Sequence, residues 1–152
     1  MARFETALAL DLLKDATGGA RAIWRLEKPL IYSSEVAGQI TVPRGFVTDL
    51  ASVPRTFLTW LIAGGLANAI AVVLDYLFAV RFGTRARADR ILYEGTGIRQ
   101  RAPIELEPLE WWRRNAIYYA VRLGGQRAWE ADTRITEQAL LQRLGYLKGE
   151  QP

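Results

Sequence analysis

Polar and apolar residues alternate along several short segments in the first third of the chain. The alternation is clear over residues 21–26 and looser over 4–12, and a turn containing glycines at 14–19 separates these two segments. A period of two is typical of half-buried β-strands, so the pair predicts a hairpin. Two more short strands are predicted at 29–32 and 39–42. The first third is therefore expected to form a small antiparallel sheet.

The spacing of apolar residues becomes helical from residue 54 onward. Residues 56–74 carry no charge, and a run of that length reaches the threshold for a helix that crosses a membrane. Gly64 and Gly65 interrupt the run and Asp75 closes it, which favours two packed helices broken at the glycines. We therefore expect no transmembrane span.

The remainder of the chain predicts further helices. The segment at about 66–81 is apolar on every side, which is typical of a central helix surrounded by other elements. Three-residue and four-residue spacing predicts later helices at 84–93, 108–123 and 133–144, and Gly124–Gly125 is expected to stop the second of these. The predicted fold class is α+β, with a small N-terminal antiparallel β-sheet followed by four or five packed helices.

Composition restricts both the architecture and the chemistry. A chain of 152 residues with 50% hydrophobic content is expected to form one domain, here over 1–147 with a loose tail at 148–152. The chain contains no cysteine and no histidine, which excludes disulfides, a thiolate nucleophile and a Ser-His-Asp triad. Only oxygen ligands remain for a metal ion. The net charge of +4 is compatible with an ordinary soluble surface.

Asp75 lies inside the otherwise apolar or aromatic segment AVVLDYLFAV, and a buried carboxylate is costly unless it is paired or bound. In one interpretation Asp49 caps a helix, Asp75 pairs with Arg55 or a tyrosine hydroxyl, and Asp89 neutralises a neighbouring arginine such as Arg85. In a second, the three carboxylates converge on Mg²⁺ or Ca²⁺, which prefer oxygen ligands. In a third, they are the remnant of a lost active site.

Two surface features indicate contacts with partners. Trp111 and Trp112 are adjacent and cannot both face one core from a helix, so one of them is expected to be exposed at an interface. Arginines crowd residues 81–90, and Arg85 and Arg87 are possible interface residues. Acidic residues are interspersed among them, so we expect a protein partner and no nucleic acid.

Four motifs together resemble the domain-of-unknown-function family 1353, which is found in phages and prophages. They are GFVTDLASVPR at 45–55, AVVLDYLF at 71–78, RADRIL at 87–92 and YYAVRLGGQRAW at 118–129. The resemblance extends from about Trp24 to Trp129.

The resemblance implies a polar centre in which one residue has been replaced. The second motif of the family usually reads His-Asp-Tyr and is followed a helix later by Ala-Asp, a pattern similar to the His-Asp pair of a phospholipase-A2-like helical centre. Here Leu74 occupies the histidine position, whereas Asp75, Tyr76, Asp89 and the Asp49 of the first motif match the pattern. Leucine cannot accept a proton, so a mechanism in which histidine activates water is absent.

The functional expectation follows from this resemblance and from the missing base. We expect a phage or prophage structural or accessory protein, most readily a virion tail or baseplate component assembled in the host cytoplasm. It would act through interfaces with other phage structural proteins and would need no cofactor. The alternative is a hydrolase of lipid or cell-wall material with a carboxylate centre at Asp49, Asp75 and Asp89 that uses Ca²⁺ or Mg²⁺. The oligomeric state stays open.

Overall fold

The computed structural model describes residues 1–15, 18, 22–48 and 67–131, which form an α+β arrangement. The strands are β1 (Arg3–Phe4), β2 (Leu10–Lys14), β3 (Ile23–Leu26), β4 (Leu30–Ser34), β5 (Gly38–Val42) and β6 (Val47–Thr48). The helices within these residues are α1 (Ala67–Val80), α2 (Arg85–Gly95) and α3 (Trp111–Ala131).

The strands form two small antiparallel sheets where one was expected. One sheet has the order β1-β4-β5 and the other the order β2-β3-β6. The predicted hairpin is present, since Leu10 pairs with Leu26 in the β2–β3 ladder. However, the looser segment at 4–12 contains two strands, and these belong to different sheets. Alternation persists where one face meets the core, because Leu30 and Tyr32 are fully buried and Ile31 between them is not.

Helix α1 is the central element of the core, as its apolar sequence predicts. Every residue from Ala69 to Leu74 is at most 2% exposed, and Leu77 and Phe78 are fully buried. The helix packs against β4, β5, α2 and α3, so each of its sides meets a neighbour. A helix with apolar residues on every side is stable in this position because none of its faces has to meet water.

The described residues do not match the prediction of four or five helices. The described residues contain three helices, which correspond to the segments predicted at 66–81, 84–93 and 108–123. The other two predicted segments, at 54–63 and 133–144, lie outside the described residues. In the part of the chain that the structure covers, no helix combines the length and apolar character needed to cross a membrane.

Helix α3 continues through Gly124 and Gly125, where the sequence predicted its end. The helix runs for 21 residues to Ala131. Gly125 is buried, and a Cβ atom there would lie 3.5 Å from both the Phe78 ring and the Arg85 guanidinium. Packing against α1 and α2 therefore holds this part of the helix, and tertiary contacts override the low helix propensity of the two glycines.

We expect Gly124→Ala to stabilise the protein by about 0.5–1 kcal/mol. Gly124 is exposed within α3, and no atom of the described residues lies within 4 Å of the position that its Cβ would occupy. Alanine restricts the unfolded chain and favours the helix without a steric cost. The free energy of unfolding from urea denaturation measures the effect.

The matched control is Gly95→Ala at the end of α2. A Cβ atom there would overlap the side chain of Ile70, which is completely buried in α1. Overpacking of this kind costs about 1–3 kcal/mol. A loss of stability in Gly124→Ala, or a gain in Gly95→Ala, would contradict the packing described here.

Candidate functional site

The buried carboxylate of Asp75 is bound by a hydroxyl from the second sheet. Asp75 is 8% exposed, and its Oδ2 accepts a hydrogen bond from the Oγ1 of Thr48, which is 3% exposed. Thr48 is placed by β6, where it pairs with Trp24 of β3. This hydrogen bond joins the first family motif to the second. Arg55, a predicted partner of Asp75, and Asp49, the predicted helix cap, lie outside the described residues.

Asp89 is the second buried acid, and its carboxyl group is less completely hydrogen-bonded than that of Asp75. It is 2% exposed, and its Oδ2 lies 4.0 Å from the Nε of Arg85 one helical turn earlier. Its Oδ1 and the Arg85 Nε each lack a hydrogen-bond partner among the described residues. Burial raises the pKa of Asp89, and the positive charges of Arg85 and Arg122 oppose that rise without overcoming it.

Arg85 connects α2 to α3. Its Nη2 donates to the carbonyl oxygens of Val121, at 3.0 Å, and of Arg122, and its Nη1 donates to the Oε1 of Gln126. Its side chain is only 17% exposed, so this predicted interface residue is largely buried within the protein. Arg87 is exposed, and its guanidinium donates to the Val36 carbonyl oxygen at 3.3 Å.

The carboxylates of α1 and α2 have different partners. Asp75 is bound by Thr48 on one side of the core, whereas Asp89 faces arginines of α2 and α3. Among the residues that the structure describes, no group of three or more acidic side chains is arranged to hold a metal ion. Leu74, at the position of the family histidine, is 1% exposed within the hydrophobic core.

A different pair of acids lies on the second sheet. Asp11 of β2 and Glu27, just after β3, interact through their carboxyl groups, and this interaction lowers the pKa of Asp11 and raises that of Glu27. Arg25 donates to Asp11 at 3.2 Å and further lowers the pKa of Asp11. The Asp11 side chain is 45% exposed, so solvent screens the pair. The two carboxyl groups therefore remain largely solvated, unlike the desolvated acids of a catalytic dyad.

Trp111 and Trp112 of α3 are both exposed, where the sequence predicted that one of this pair would be. Trp111 is 74% and Trp112 is 50% exposed. Helical spacing aligns Trp112 with Tyr119 and Leu123, which are also exposed, and this line lies opposite the buried side of the helix. We call Trp112, Tyr119 and Leu123 the α3 stripe. Trp111 lies beside the stripe at the start of the helix.

Glu94 is a structurally important acid that sequence reasoning missed. Its Oε1 accepts from the Tyr32 hydroxyl at 2.7 Å, and its Oε2 accepts from the backbone N–H groups of Glu35 at 2.9 Å and Val36 at 3.3 Å. Burial, followed by the adjacent Glu94 carboxylate, raises the pKa of Tyr32. Glu94 follows a predicted amphipathic segment and resembles an ordinary solvent-facing acid, so no local signal marks it.

A cleft lies beside this contact, between α2, α3 and the β4–β5 turn. It has a volume of about 390 Å³ and is lined by Val36, Arg90, Tyr93, Asn115 and Tyr118. We call it the α2–α3 cleft. Arg90 and Tyr118 lie within the third and fourth family motifs, but no sequence pattern indicated that these residues would line a cleft.

The structure thus defines an α+β domain in which buried polar contacts join segments that are distant in the chain. The chain belongs to the family described as "Protein of unknown function (DUF1353)", whose match covers residues 24–121, more than half of its length. This confirms the resemblance found in the sequence, with a match that ends within the fourth motif. No curated protein and no solved structure matches the chain.

Thr48→Val is expected to destabilise the protein by about 1–3 kcal/mol. Valine keeps the size of the side chain but removes the hydroxyl that binds the Asp75 carboxylate, and a buried charged acceptor then loses a donor. Thr41→Val is the matched control, because Thr41 is exposed on β5. The control is expected to stay within about 0.5 kcal/mol of the parent. Equal effects in urea denaturation would show that the hydroxyl of Thr48 contributes nothing specific.

Asp89→Asn tests the raised pKa of the second acid. A carboxyl group with a raised pKa binds its proton more tightly in the folded state than in the unfolded state. Its contribution to the free energy of unfolding therefore falls as the pH rises from about 4, the ordinary value for aspartate, through the folded-state pKa. Asparagine does not titrate, so the stability of the parent relative to the variant should decrease across this range.

Urea denaturation of the parent and of Asp89→Asn at a series of pH values measures this difference directly. Contributions from all other titrating groups largely cancel between the two proteins. An increase in the relative stability of the parent with pH would mean that attraction to Arg85 and Arg122 outweighs burial.

Proposed function

We propose that this chain is a structural or accessory protein of a phage or prophage, acting through protein interfaces as a component of a virion tail or baseplate. The phage context is what the resemblance of the sequence motifs to this family implies. The observation that carries the interface role is the exposed apolar surface of α3, where Trp111 is 74% and Leu123 is 83% exposed. Its partners would be other phage structural proteins in the virion, after assembly in the host cytoplasm.

The chemistry of this surface supports a protein partner. Tryptophan, tyrosine and arginine are enriched at the energetic centres of protein interfaces. The α3 stripe offers Trp112, Tyr119 and Leu123 along one line, and the Arg113 guanidinium lies 5.2 Å from the centre of the Trp112 ring. Large side chains that remain this exposed would each bury substantial apolar area on binding.

The burial of the family carboxylates also favours an architectural role. Hydrolysis by Asp75 or Asp89 would require contact with substrate or with an activated water, whereas the two residues are 8% and 2% exposed. Their observed contacts hold α1 against β6 and place the Asp89 carboxyl group beside Arg85, which connects α2 to α3. In a chain with no histidine or cysteine, these structural contacts account for the two acids without a reaction.

The proposal predicts that the protein is present in purified phage particles at a fixed copy number and that Leu123→Glu abolishes its incorporation. Leu123 is too exposed for the change to disturb folding, but a charge in the centre of an apolar interface would prevent docking. Quantitative mass spectrometry of particles from complemented phage measures the copy number. We expect at least a tenfold decrease for the variant.

Leu13→Glu provides the matched control. Leu13 is 47% exposed but lies on β2 of the second sheet, away from α3. This variant should be incorporated like the parent protein. Absence of the parent protein from particles, or normal incorporation of Leu123→Glu, would refute the proposed role of the α3 surface.

A further inference from the structure

The α2–α3 cleft has the size and walls of a small-molecule site. Its volume of about 390 Å³ lies within the range of about 300–1,000 Å³ that is usual for ligand pockets. Two tyrosine rings contribute to its walls, since the centroids of Tyr93 and Tyr118 lie 5.6 Å apart at an interplanar angle of 75°. Such an edge-to-face pair presents flat apolar surface to any ring that enters.

Contacts outside the cleft hold both rings in place. The Arg114 guanidinium stacks on Tyr93 at 4.3 Å from the ring centre and donates to the Tyr93 carbonyl oxygen at 2.9 Å. The Nη1 of Arg122 donates to the Tyr118 hydroxyl at 2.9 Å. The rings are therefore ordered before any ligand binds, which lowers the entropic cost of binding.

The opposite wall is fixed by α2. Val36, at the tip of the β4–β5 turn, donates its N–H to Glu94 and accepts a hydrogen bond from Arg87 at its carbonyl oxygen. These two bonds place the Val36 side chain against the cleft. The apolar walls thus come from three separate elements whose relative positions are set by hydrogen bonds.

The cleft is also lined by the cationic side chain of Arg90, and Glu94, which could form an ion pair with it, binds other groups. Arg90 is exposed and makes no hydrogen bond or ion pair within the described ranges. Glu94 is four residues later on the same helix, the spacing at which it would ordinarily pair with Arg90. Its carboxylate instead binds the Tyr32 hydroxyl and the turn amides. The charge of Arg90 is therefore available at the cleft.

Asn115 supplies a second polar group on the α3 side. Its Nδ2 donates to the Trp111 carbonyl oxygen at 2.7 Å, which orients the amide and leaves its oxygen as an acceptor. A few oriented polar groups among apolar walls are typical of sites that select one ligand chemistry.

We propose that the α2–α3 cleft binds a small planar aromatic molecule that carries an anionic group. The ring packs against Tyr93 and Tyr118, and the anion pairs with the Arg90 guanidinium. The cleft shares no lining residue with the α3 stripe, and the two surfaces meet only where the Tyr118 ring packs on that of Tyr119, at 5.4 Å between centroids.

Fluorescence titration with two related probes tests the charge requirement. The probes are 8-anilinonaphthalene-1-sulfonate, an aromatic anion, and N-phenyl-1-naphthylamine, which has the same ring system without the sulfonate. We expect the anion to bind at one site and at least about fivefold more tightly than the neutral probe, as for a hydrogen-bonded charge pair. Equal affinities, or no binding of the anion, would refute the proposal.

Single substitutions test whether the anionic probe binds in the α2–α3 cleft. Arg90→Ala should weaken binding of the anionic probe by about fivefold to tenfold and leave the neutral probe unchanged, whereas Arg90→Lys should retain most of the affinity. Arg99→Ala is the control, because Arg99 is an exposed arginine paired with Glu107 at 3.5 Å. An unchanged affinity in Arg90→Ala would overturn the assignment.

Leu123→Glu separates this inference from the proposed function. Binding of the anionic probe should be the same in this variant as in the parent, even where its incorporation into particles is lost. If Leu123→Glu abolishes the fluorescence while Arg90→Ala does not, the probe binds the α3 stripe, and the cleft is not the site.

Discussion

Helix α1 is enclosed on every side, and this enclosure imposes the main constraint on the structure. A helix in that position cannot leave a charge to water, so its one carboxylate must be satisfied by a neighbouring element. Thr48 of β6 donates to Asp75 and thereby ties the second sheet to the central helix. The short strand β6, only two residues long, is significant because it carries this donor.

Helix α2 joins the other two parts of the molecule through long polar side chains. Arg85 at its start reaches backbone oxygens of α3, and Glu94 at its end reaches the β4–β5 turn. Arginine is suited to the first contact because its planar guanidinium donates in several fixed directions, which a lysine ammonium cannot reproduce. The same helix thus positions two of the three walls of the α2–α3 cleft.

Periodicity predicted the elements whose environment is uniform. The apolar sequence of α1 indicated a central helix, and the alternation in β4 indicated one buried face, because burial repeats with the period of the element. The prediction that α3 ends at Gly124–Gly125 was wrong because contacts with Phe78 and Arg85 support the helix there. Asp75 could be identified as a buried acid from its apolar neighbours, whereas Glu94 could not, since its partners are 58 to 62 residues distant in the chain.

The contact made by Glu94 also bears on the order in which the molecule assembles. The β4–β5 hairpin consists of local pairings and can close early, because short loops cost little entropy. The amides of Glu35 and Val36 at its tip are bonded to a carboxylate rather than to the opposite strand, 59 and 58 residues away. The Val36 N–H also donates to the Ser34 Oγ, at 3.1 Å, within the hairpin. Solvent exchange at the Glu35 amide therefore reports the arrival of α2, independently of hairpin formation.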